Sequence, residues 1–508
     1  MLILKIIFSL ICGLILSTST PGNDWWLVAW VGIAPLFILI GISRNVFEVS
    51  IFSFVFGLAY NLLCLKWIFT IHSLSWLGFS EQLSYLISFS AWIIASVICS
   101  AFFIFFGIVT YYINKQSNNN NKGILGCLLN SFIWVVIFNK LASLSIFLGF
   151  PWSLVEYSQY KNFYLIQIAE LFGSIFISVL IVFFNNVIAN IVLWFIRVDK
   201  IGNRYIAKNP DELTNVYTSL FGIVLVLLSV YIFGHIRSLK YLNQKYTSKS
   251  KIVMIAQGNL PIKATRGKRL DIVLARSTYE DLIPKSMVDF IFIPEGALPT
   301  AVNLDSLTKS WIESLSYKTG ANVIAGSYCT NQDMITNCGI GYSSKDKEYV
   351  YYEKERLVPF GEYVPFYFIL PGFLKDFVDQ AIGNGFSTGK NSAVSKISKV
   401  PIGISICFEI IFPNKIRNYV LNNARMLVNL SDLSWFSSNL PKKQFLAFSV
   451  FRAVENRKPF ILATNNGISA IIQPSGIIKK QTYPKSQSKL IDWVNLNGEK
   501  TFYAKFGW

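Results

Sequence analysis

Three polar residues follow apolar, strand-like runs in the C-terminal half of the chain, and their side chains could together perform acyl transfer. Glu295 follows VDFIFIP, Lys354 lies in YYEKERLVPFGEYVP, and Cys407 ends PIGISIC. Layered α/β proteins place their sites in loops at strand ends. A cysteine thiolate is a nucleophile, a carboxylate can take its proton, and an ammonium can stabilise an oxyanion. The pattern therefore indicates a nucleophile, a base and an oxyanion donor.

The histidines do not offer a base for Cys407. The chain has two, His72 and His235, and both precede the C-terminal half. A Ser-His-Asp or Cys-His pair within that half is excluded, so a carboxylate must accept the thiol proton. A glutamate among apolar residues has a raised pKa and is suited to this task. Taken singly, the three residues also fit a buried cysteine and two surface charges. The missing histidine favours the functional interpretation.

The composition is that of a membrane protein. Of 508 residues, 53% are hydrophobic and 15% are charged, and the net charge is +18. Soluble domains carry roughly 25% charged residues. The basic residues are dispersed in short loops beside apolar runs, which favours contact with anionic lipid headgroups over nucleic acid. The seven cysteines form no CxxC or Cys/His spacing, so a zinc site is not expected.

Apolar segments near 20 residues long predict seven membrane-spanning helices. They are residues 3–19, 26–42, 49–69, 87–113, 124–149, 163–196 and 217–235. The first could instead be a signal peptide, because small residues follow its apolar core. We therefore predict a transmembrane helical domain at 1–236, a linker at 237–250 and a catalytic domain at 251–508.

Charge asymmetry between the loops predicts the orientation. The basic residues of one side are Lys5, Arg44, Lys115, Lys122, Arg197, Lys200, Arg204 and Lys208, against Lys66 and Lys161 on the other. The N-terminus is then cytoplasmic, and an odd number of crossings places the catalytic domain outside. In such an oxidising compartment Cys329 and Cys338 could pair, although their spacing alone does not require it.

Beyond residue 250 the pattern changes to short β-rich runs that alternate with helical stretches. KIVMIAQ, VDFIFIPEGALP, ANVIAGSY, VPIGISICFEI, ARMLVNLSD and a pair within FILATNNGISAIIQPSG predict strands. DIVLARSTYEDLI and KKQFLAFSVFRAVENRKP predict helices. Alternation of this kind predicts a layered α/β domain.

Several longer motifs stand out in the sequence: GFPWSLVEYSQYKNFYLIQIAELFG, AQGNLP, PEGALP, KERLVPFGEYVPF, ICFEIIFP, RAVENRKPF, ATNNGISA and TFYAKFGW. Together they resemble the apolipoprotein N-acyltransferase family, the bacterial membrane branch of the nitrilase, or carbon–nitrogen hydrolase, superfamily. The resemblance implies a polytopic α-helical membrane domain joined to an extracytoplasmic nitrilase-like αββα sandwich. It implies Glu295 as base, Lys354 as oxyanion stabiliser and Cys407 as nucleophile. Glu362, Phe408 and Glu409 would be supporting residues.

The resemblance also implies a reaction. An acyl chain would pass from a phospholipid, expected to be phosphatidylethanolamine, through a cysteine thioester to the N-terminal cysteine of diacylglyceryl apolipoproteins. Neither a metal nor a soluble cofactor is implied, and a monomer is expected. The protein would be located in the bacterial inner membrane, with its catalytic domain on the periplasmic side. The alternatives are a membrane-tethered amidase with the same three residues and a transporter with an outer binding domain.

Overall fold

The computed structural model describes most of the chain. The described residues are 2–75, 79–116, 123–144, 149–196, 200–201, 204–205, 210–242, 245–261, 269–283, 288–331, 334–369, 371–372, 375, 385–390 and 394–507. They divide into two compact units. The first contains Met1–His72 and Tyr85–Arg237, and the second contains Ser73–Ser84 and Ser238–Trp508.

The first unit is built from apolar helices that lie wholly or mostly within its bounds. They are α1 Leu2–Ser17, α2 Ala29–Gly32, α3 Ala34–Gly41, α4 Val46–Cys64, α5 Glu81–Gln116, α6 Ile124–Val135, α7 Ala169–Phe172, α8 Ile175–Ile196 and α9 Pro210–Leu242. A two-stranded hairpin, β1 Lys200–Ile201 and β2 Arg204–Tyr205, precedes α9. Ser9 of α1 donates to the carbonyl of Phe52 in α4 at 2.7 Å, which satisfies a hydroxyl among apolar side chains.

Five helical segments of the described chain are long and apolar enough to cross a membrane. They are Val46–Ile71, Glu81–Lys115, Ile124–Ser143, Ile175–Ile196 and Thr214–Leu242. The first two predicted spans are shorter. Leu2–Ser17 has 16 residues and so rises about 24 Å, less than a hydrocarbon core of roughly 30 Å. For these two segments, spanning stays a prediction.

The second predicted span is interrupted by a contact from α8. Asn185 Oδ1 accepts from the backbone amides of Ile33 and Ala34, each at 2.8 Å, in place of helical partners. Pro35 lies in the first turn of α3, where a proline is tolerated. The prediction that a helix starts near residue 163 is wrong, because α8 begins at Ile175 after the short α7 and Gly173, whose φ is 76°. Short helical turns lie at Val155–Gln159 and Leu165–Ile168 instead.

The second unit contains two six-stranded sheets. Their strands are β3 Ser250–Gln257, β4 Phe290–Ala301, β5 Asn322–Asn331, β6 Met334–Ser343, β7 Glu348–Glu353, β8 Ser395–Ile397, β9 Val400–Ile406, β10 Met426–Ser431, β11 Phe460–Thr464, β12 Ala470–Ile472, β13 Ile478–Gln481 and β14 Ser488–Asn495. One sheet has the order β14-β3-β4-β5-β6-β7, and the other β13-β12-β11-β10-β9-β8. The central pairs β3–β4, β4–β5, β9–β10 and β10–β11 are parallel.

Helices cover the outer faces of both sheets, so the unit is a four-layer αββα sandwich. The helices are α10 Arg269–Leu282, α11 Ser306–Thr319, α12 Pro413–Leu421, α13 Leu440–Asn456 and α14 Phe502–Phe506. Every residue of β10 and β11 is buried, which explains their continuous apolar runs, as expected for parallel strands covered on both faces. The predicted strands and both predicted helices are present, and the predicted fold class is confirmed.

A disulfide joins Cys329 of β5 to Cys338 of β6, with their Cα atoms 5.7 Å apart. The two strands are antiparallel neighbours, and the bond lies diagonally across them. The sequence allowed this pairing without requiring it. Cys12, Cys64, Cys99, Cys127 and Cys407 are free thiols.

Candidate active site

Cys407 lies on a tight turn at the carboxyl end of β9. It has φ 48°, in the left-handed region, and it opens a short helical turn that ends at Ile411. Asn429 of β10 donates from its side chain to the Cys407 carbonyl at 3.2 Å. A non-glycine residue in this region is strained, and such strain concentrates at functional sites. The preceding Ser405 is buried and donates to the Val428 carbonyl at 2.9 Å, so it serves the sheet.

Glu295 lies within β4, not after its end as the sequence suggested. The pairing of β4 with β5 shifts register between Ile293 and Leu298, and Gly296 has φ 63°. This bulge turns the Glu295 side chain into the site while the strand continues to Ala301. Gly326 of β5 passes so close that a Cβ there would lie 2.4 Å from the Glu295 Cα. The bulge therefore needs glycine at both positions.

Lys354 directly follows β7 and is 1% exposed. Its Nζ lies 2.8 Å from Glu362 Oε1 and 3.3 Å from Glu295 Oε1. Glu362 also accepts from the Val358 amide at 2.8 Å, which holds the PFGE turn beside the lysine. One buried cation thus bridges two buried carboxylates. The structure brings the predicted Glu295, Lys354 and Glu362 together.

Asn337 of β6 is part of the cluster, and sequence reasoning missed it. Its Nδ2 donates to Glu295 Oε1 at 2.7 Å and to Glu362 Oε1 at 3.0 Å. The side chain is buried, and its Oδ1 has no hydrogen-bond partner among the described residues. A polar residue inside a β-rich run, MITNCGIGYS, was the signal that could have identified it.

The electrostatics of the cluster follow from burial and neighbouring charge. Burial raises the pKa of Glu295, with a contribution from Glu362, while Lys354 opposes the shift. Burial would lower the pKa of Lys354, but Glu295 and Glu362 outweigh it and raise that pKa, so the lysine is an ammonium. Burial and the Glu295 charge raise the pKa of Cys407 well above its ordinary value, although Lys354 acts in the opposite sense.

This arrangement can perform nucleophilic catalysis by a thiol. The Cys407 thiol interacts electrostatically with both Glu295 and Lys354, and its raised pKa means that it rests as a neutral thiol. It must therefore lose its proton as it attacks, and the neighbouring Glu295 carboxylate is the candidate acceptor. Lys354 cannot act as a base because it is protonated, but it can stabilise a negative oxygen. The roles assigned from sequence remain a prediction that this geometry supports.

Glu409 lies beside the nucleophile turn and fastens it to the segment that follows Lys354. It is fully buried. Its Oε2 accepts from the Ile406 amide at 2.8 Å and from the Tyr352 hydroxyl at 2.6 Å. Its Oε1 accepts from the amides of Glu355 and Arg356 at 2.8 and 3.1 Å. Glu409 therefore sets the position of Cys407 relative to Lys354.

Phe408, the other predicted supporting residue, is buried and packs edge-on against Phe412, with ring centroids 5.3 Å apart. Its position directly after Cys407 makes it part of the apolar wall of the turn. Loss of this ring would loosen the turn without removing any polar contact of the cluster.

Comparison with family models finds a match in each half of the chain. Residues 276–496 match the carbon–nitrogen hydrolase family, and residues 12–187 match the apolipoprotein N-acyltransferase N-terminal domain. The αββα sandwich of the second unit therefore has the carbon–nitrogen hydrolase fold. The H. pylori G27 carbon–nitrogen hydrolase is similar at 14% identity and a TM-score of 0.36, over 49% of this chain and 89% of that chain.

Two relatives extend the similarity over nearly the whole chain. A Geobacter metallireducens protein named apolipoprotein N-acyltransferase is 29% identical, over 99% of this chain and 91% of its own length. A Prochlorococcus marinus protein of the same name is 27% identical, over 94% and 89%. The chain is thus similar over nearly its whole length to proteins named apolipoprotein N-acyltransferase. With its five spanning-length helices, it is a multi-pass membrane protein.

Proposed function

We propose that this protein transfers an acyl chain from a phospholipid, through a thioester on Cys407, to the α-amino group of the lipid-modified N-terminal cysteine of apolipoproteins. The observation that carries the proposal is the cluster in which Lys354 Nζ lies 3.3 Å from the Glu295 carboxylate and both of these groups act electrostatically on the Cys407 thiol. The names of the relatives support the acceptor, since both are called apolipoprotein N-acyltransferase.

The first half-reaction acylates the enzyme. Cys407 Sγ forms a bond to the acyl carbonyl carbon of the phospholipid, and the thiol proton passes to Glu295. The carbonyl oxygen becomes an oxyanion that Lys354 stabilises. The ester C–O bond then breaks, and Glu295 returns the proton to the departing lysophospholipid oxygen. The products are a thioester and a lysophospholipid.

The second half-reaction transfers the acyl chain. The neutral α-amine of the apolipoprotein attacks the thioester carbon, and Glu295 takes a proton from the nitrogen. The C–S bond breaks as the tetrahedral intermediate collapses, and Cys407 recovers its proton. The product is an amide on the N-terminal cysteine. Glu362, Glu409 and Phe408 support both steps by holding Lys354 and the nucleophile turn in place.

Two features support a periplasmic catalytic unit at the inner membrane. Lysine and arginine are concentrated in alternate loops of the membrane half. The Cys329–Cys338 disulfide suits an oxidising compartment.

We expect an alkaline phosphatase fused after Trp508 to be active, because that enzyme folds only outside the cytoplasm. Activity of a cytoplasm-only fluorescent reporter at the same position would contradict this orientation.

A two-substrate assay tests the proposed function. The purified protein in detergent is incubated with phosphatidylethanolamine and a synthetic diacylglyceryl lipopeptide with a free α-amine. The expected product is a lipopeptide heavier by one acyl chain. Acyl release as free fatty acid, with the lipopeptide unchanged, would favour the amidase-type hydrolase. Stoichiometric binding of either substrate with no product would favour a binding or transport protein.

We expect the protein to act as a monomer, because the whole cluster comes from one chain.

A further inference from the structure

Asn465, in the turn after β11, is a buried residue whose hydrogen bonds join three segments around the site. It is 1% exposed. Its Oδ1 accepts from the Leu260 amide at 2.8 Å, and its Nδ2 donates to the Leu260 carbonyl at 2.8 Å. The same Nδ2 donates to Asp432 Oδ1 at 3.2 Å, and the Asn465 amide donates to the Ser431 carbonyl at 3.0 Å. The loop after β3 and the end of β10 are thus fixed by one side chain.

Asp432 connects Asn465 to Glu295, the candidate base. Its backbone amide donates to Glu295 Oε2 at 2.7 Å, on the carboxylate oxygen that Lys354 and Asn337 do not contact. Its own carboxylate is held by Asn465 and by the Ser434 amide at 3.0 Å. The direction of the Asp432 amide therefore depends on how Asn465 holds the turn.

We propose that Asn465 is a positioning residue for Glu295, acting through the Asp432 amide that anchors the second oxygen of the carboxylate. Asn465 does not touch the reacting atoms. The inference rests on the proposed function in taking Glu295 as the base. It adds a residue that controls when the base is ionised.

The neighbouring Asn466 provides a matched comparison. It is the same residue type in the same turn, but its side chain faces other partners. Its Oδ1 accepts from the buried Lys442 at 2.7 Å, and its Nδ2 donates to Asn259 Oδ1 at 2.7 Å. No hydrogen bond from Asn466 to Asp432 occurs in the described part of the chain. Truncating Asn466 to alanine removes two side-chain hydrogen bonds and truncating Asn465 removes three, but only the Asn465 truncation frees the amide that binds Glu295.

The expected signature is a change in pH dependence. The charged and titratable groups that act on Glu295 are Lys354, Glu362 and Asp432, and Glu295 in turn acts on Cys407. The Asp432 amide lowers the pKa of Glu295, whereas the Asp432 carboxylate raises it. Losing the amide contact should make the base titrate at higher pH. Removing the Asp432 charge while keeping its amide should make the base titrate at lower pH.

The rate at which iodoacetamide alkylates Cys407 reports the ionisation of Glu295, and the measurement needs no lipid substrate. Thiol sulfur displaces iodide and the thiol proton leaves to Glu295, so the rate at low pH follows ionisation of that carboxylate. The full-length protein in detergent is quenched at intervals, and the Cys407 peptide is quantified by mass spectrometry. Relative to wild type, Asn465→Ala should lower the rate about tenfold at about pH 6 and less than about twofold at about pH 9. Asn466→Ala should stay within about twofold at both.

Asp432→Asn should change the alkylation rate in the opposite direction. It also keeps the inference testable if Asn465→Ala does not fold. It should raise the rate at about pH 6 by about threefold, since the amide anchor remains and a repelling charge is gone. Equal slowing at both pH values in Asn465→Ala, or slower alkylation at low pH in Asp432→Asn, would overturn the inference. Failure of the wild type to accept phospholipid would reject the proposed function while leaving this readout intact.

Discussion

Replacing Glu295 with glutamine should slow formation of the Cys407 thioester by about a thousandfold, within the range attributed to a general base. The amide keeps the size of the side chain and can still accept from the Asp432 backbone. It cannot take the thiol proton, and the pKa of Cys407 is raised well above its ordinary value by burial, so little thiolate forms unaided. The measurement is the rate at which phosphatidylethanolamine adds a hydroxylamine-sensitive acyl group to the protein.

The supporting carboxylates provide graded controls for this variant. Glu362→Gln changes a neighbouring carboxylate that shares Lys354 and Asn337 with Glu295 but is not the proposed base. Glu409→Gln changes the residue that fastens the nucleophile turn. Both should slow acylation while leaving readily detectable thioester. Acylation in Glu295→Gln as fast as in Glu362→Gln would assign the base to another group.

Replacing Lys354 with methionine should reduce both chemistry and stability. Loss of one oxyanion donor lowers the rate by about a hundredfold to a thousandfold. The buried carboxylates of Glu295 and Glu362 then lose their shared cation, and breaking a buried ion pair on one side costs about 3–5 kcal/mol. The pKa of Glu295 should also rise further, because Lys354 is the charge that opposes the effect of burial. Acyl-adduct rates and thermal unfolding of the purified protein measure the two effects.

Lys458→Met is the matched control for Lys354→Met. Lys458 is also 1% exposed, but its Nζ donates to the backbone carbonyl of Glu499 and contacts no member of the cluster. Burial lowers its pKa to about 8. Its replacement should therefore leave the acylation rate near wild type. If Lys354→Met kept the wild-type rate in folded protein, the oxyanion role would be wrong.

The sequence predicted the places of the three candidate site residues along the chain better than their local geometry. Cys407 lies where the apolar run predicted, directly after β9, and Lys354 directly follows β7. Glu295 was expected in a loop, yet β4 continues to Ala301 through a bulge. Alternation of apolar residues identifies a strand but not a shift of register, which depends on the close approach of β5 at Gly326.

Contacts between distant segments could not be predicted. Asn337, Asp432 and Asn465 meet near Glu295 from β6 and from the turns after β10 and β11. No local pattern records such pairings, because they arise only when two sheets pack face to face. In the membrane half, composition predicted apolar segments. The break before α3 depends on Asn185, 152 residues away from Ile33.

The most direct test of the account is the mass of the protein after incubation with phosphatidylethanolamine and no acceptor. We predict an increase of one acyl chain, located on the peptide that contains Cys407 and removed by neutral hydroxylamine. The Cys407→Ser protein should show no such adduct, because a serine hydroxyl is far less acidic than a thiol. An adduct on any other residue, or none in wild type that transfers acyl chains to the lipopeptide, would contradict the thioester mechanism.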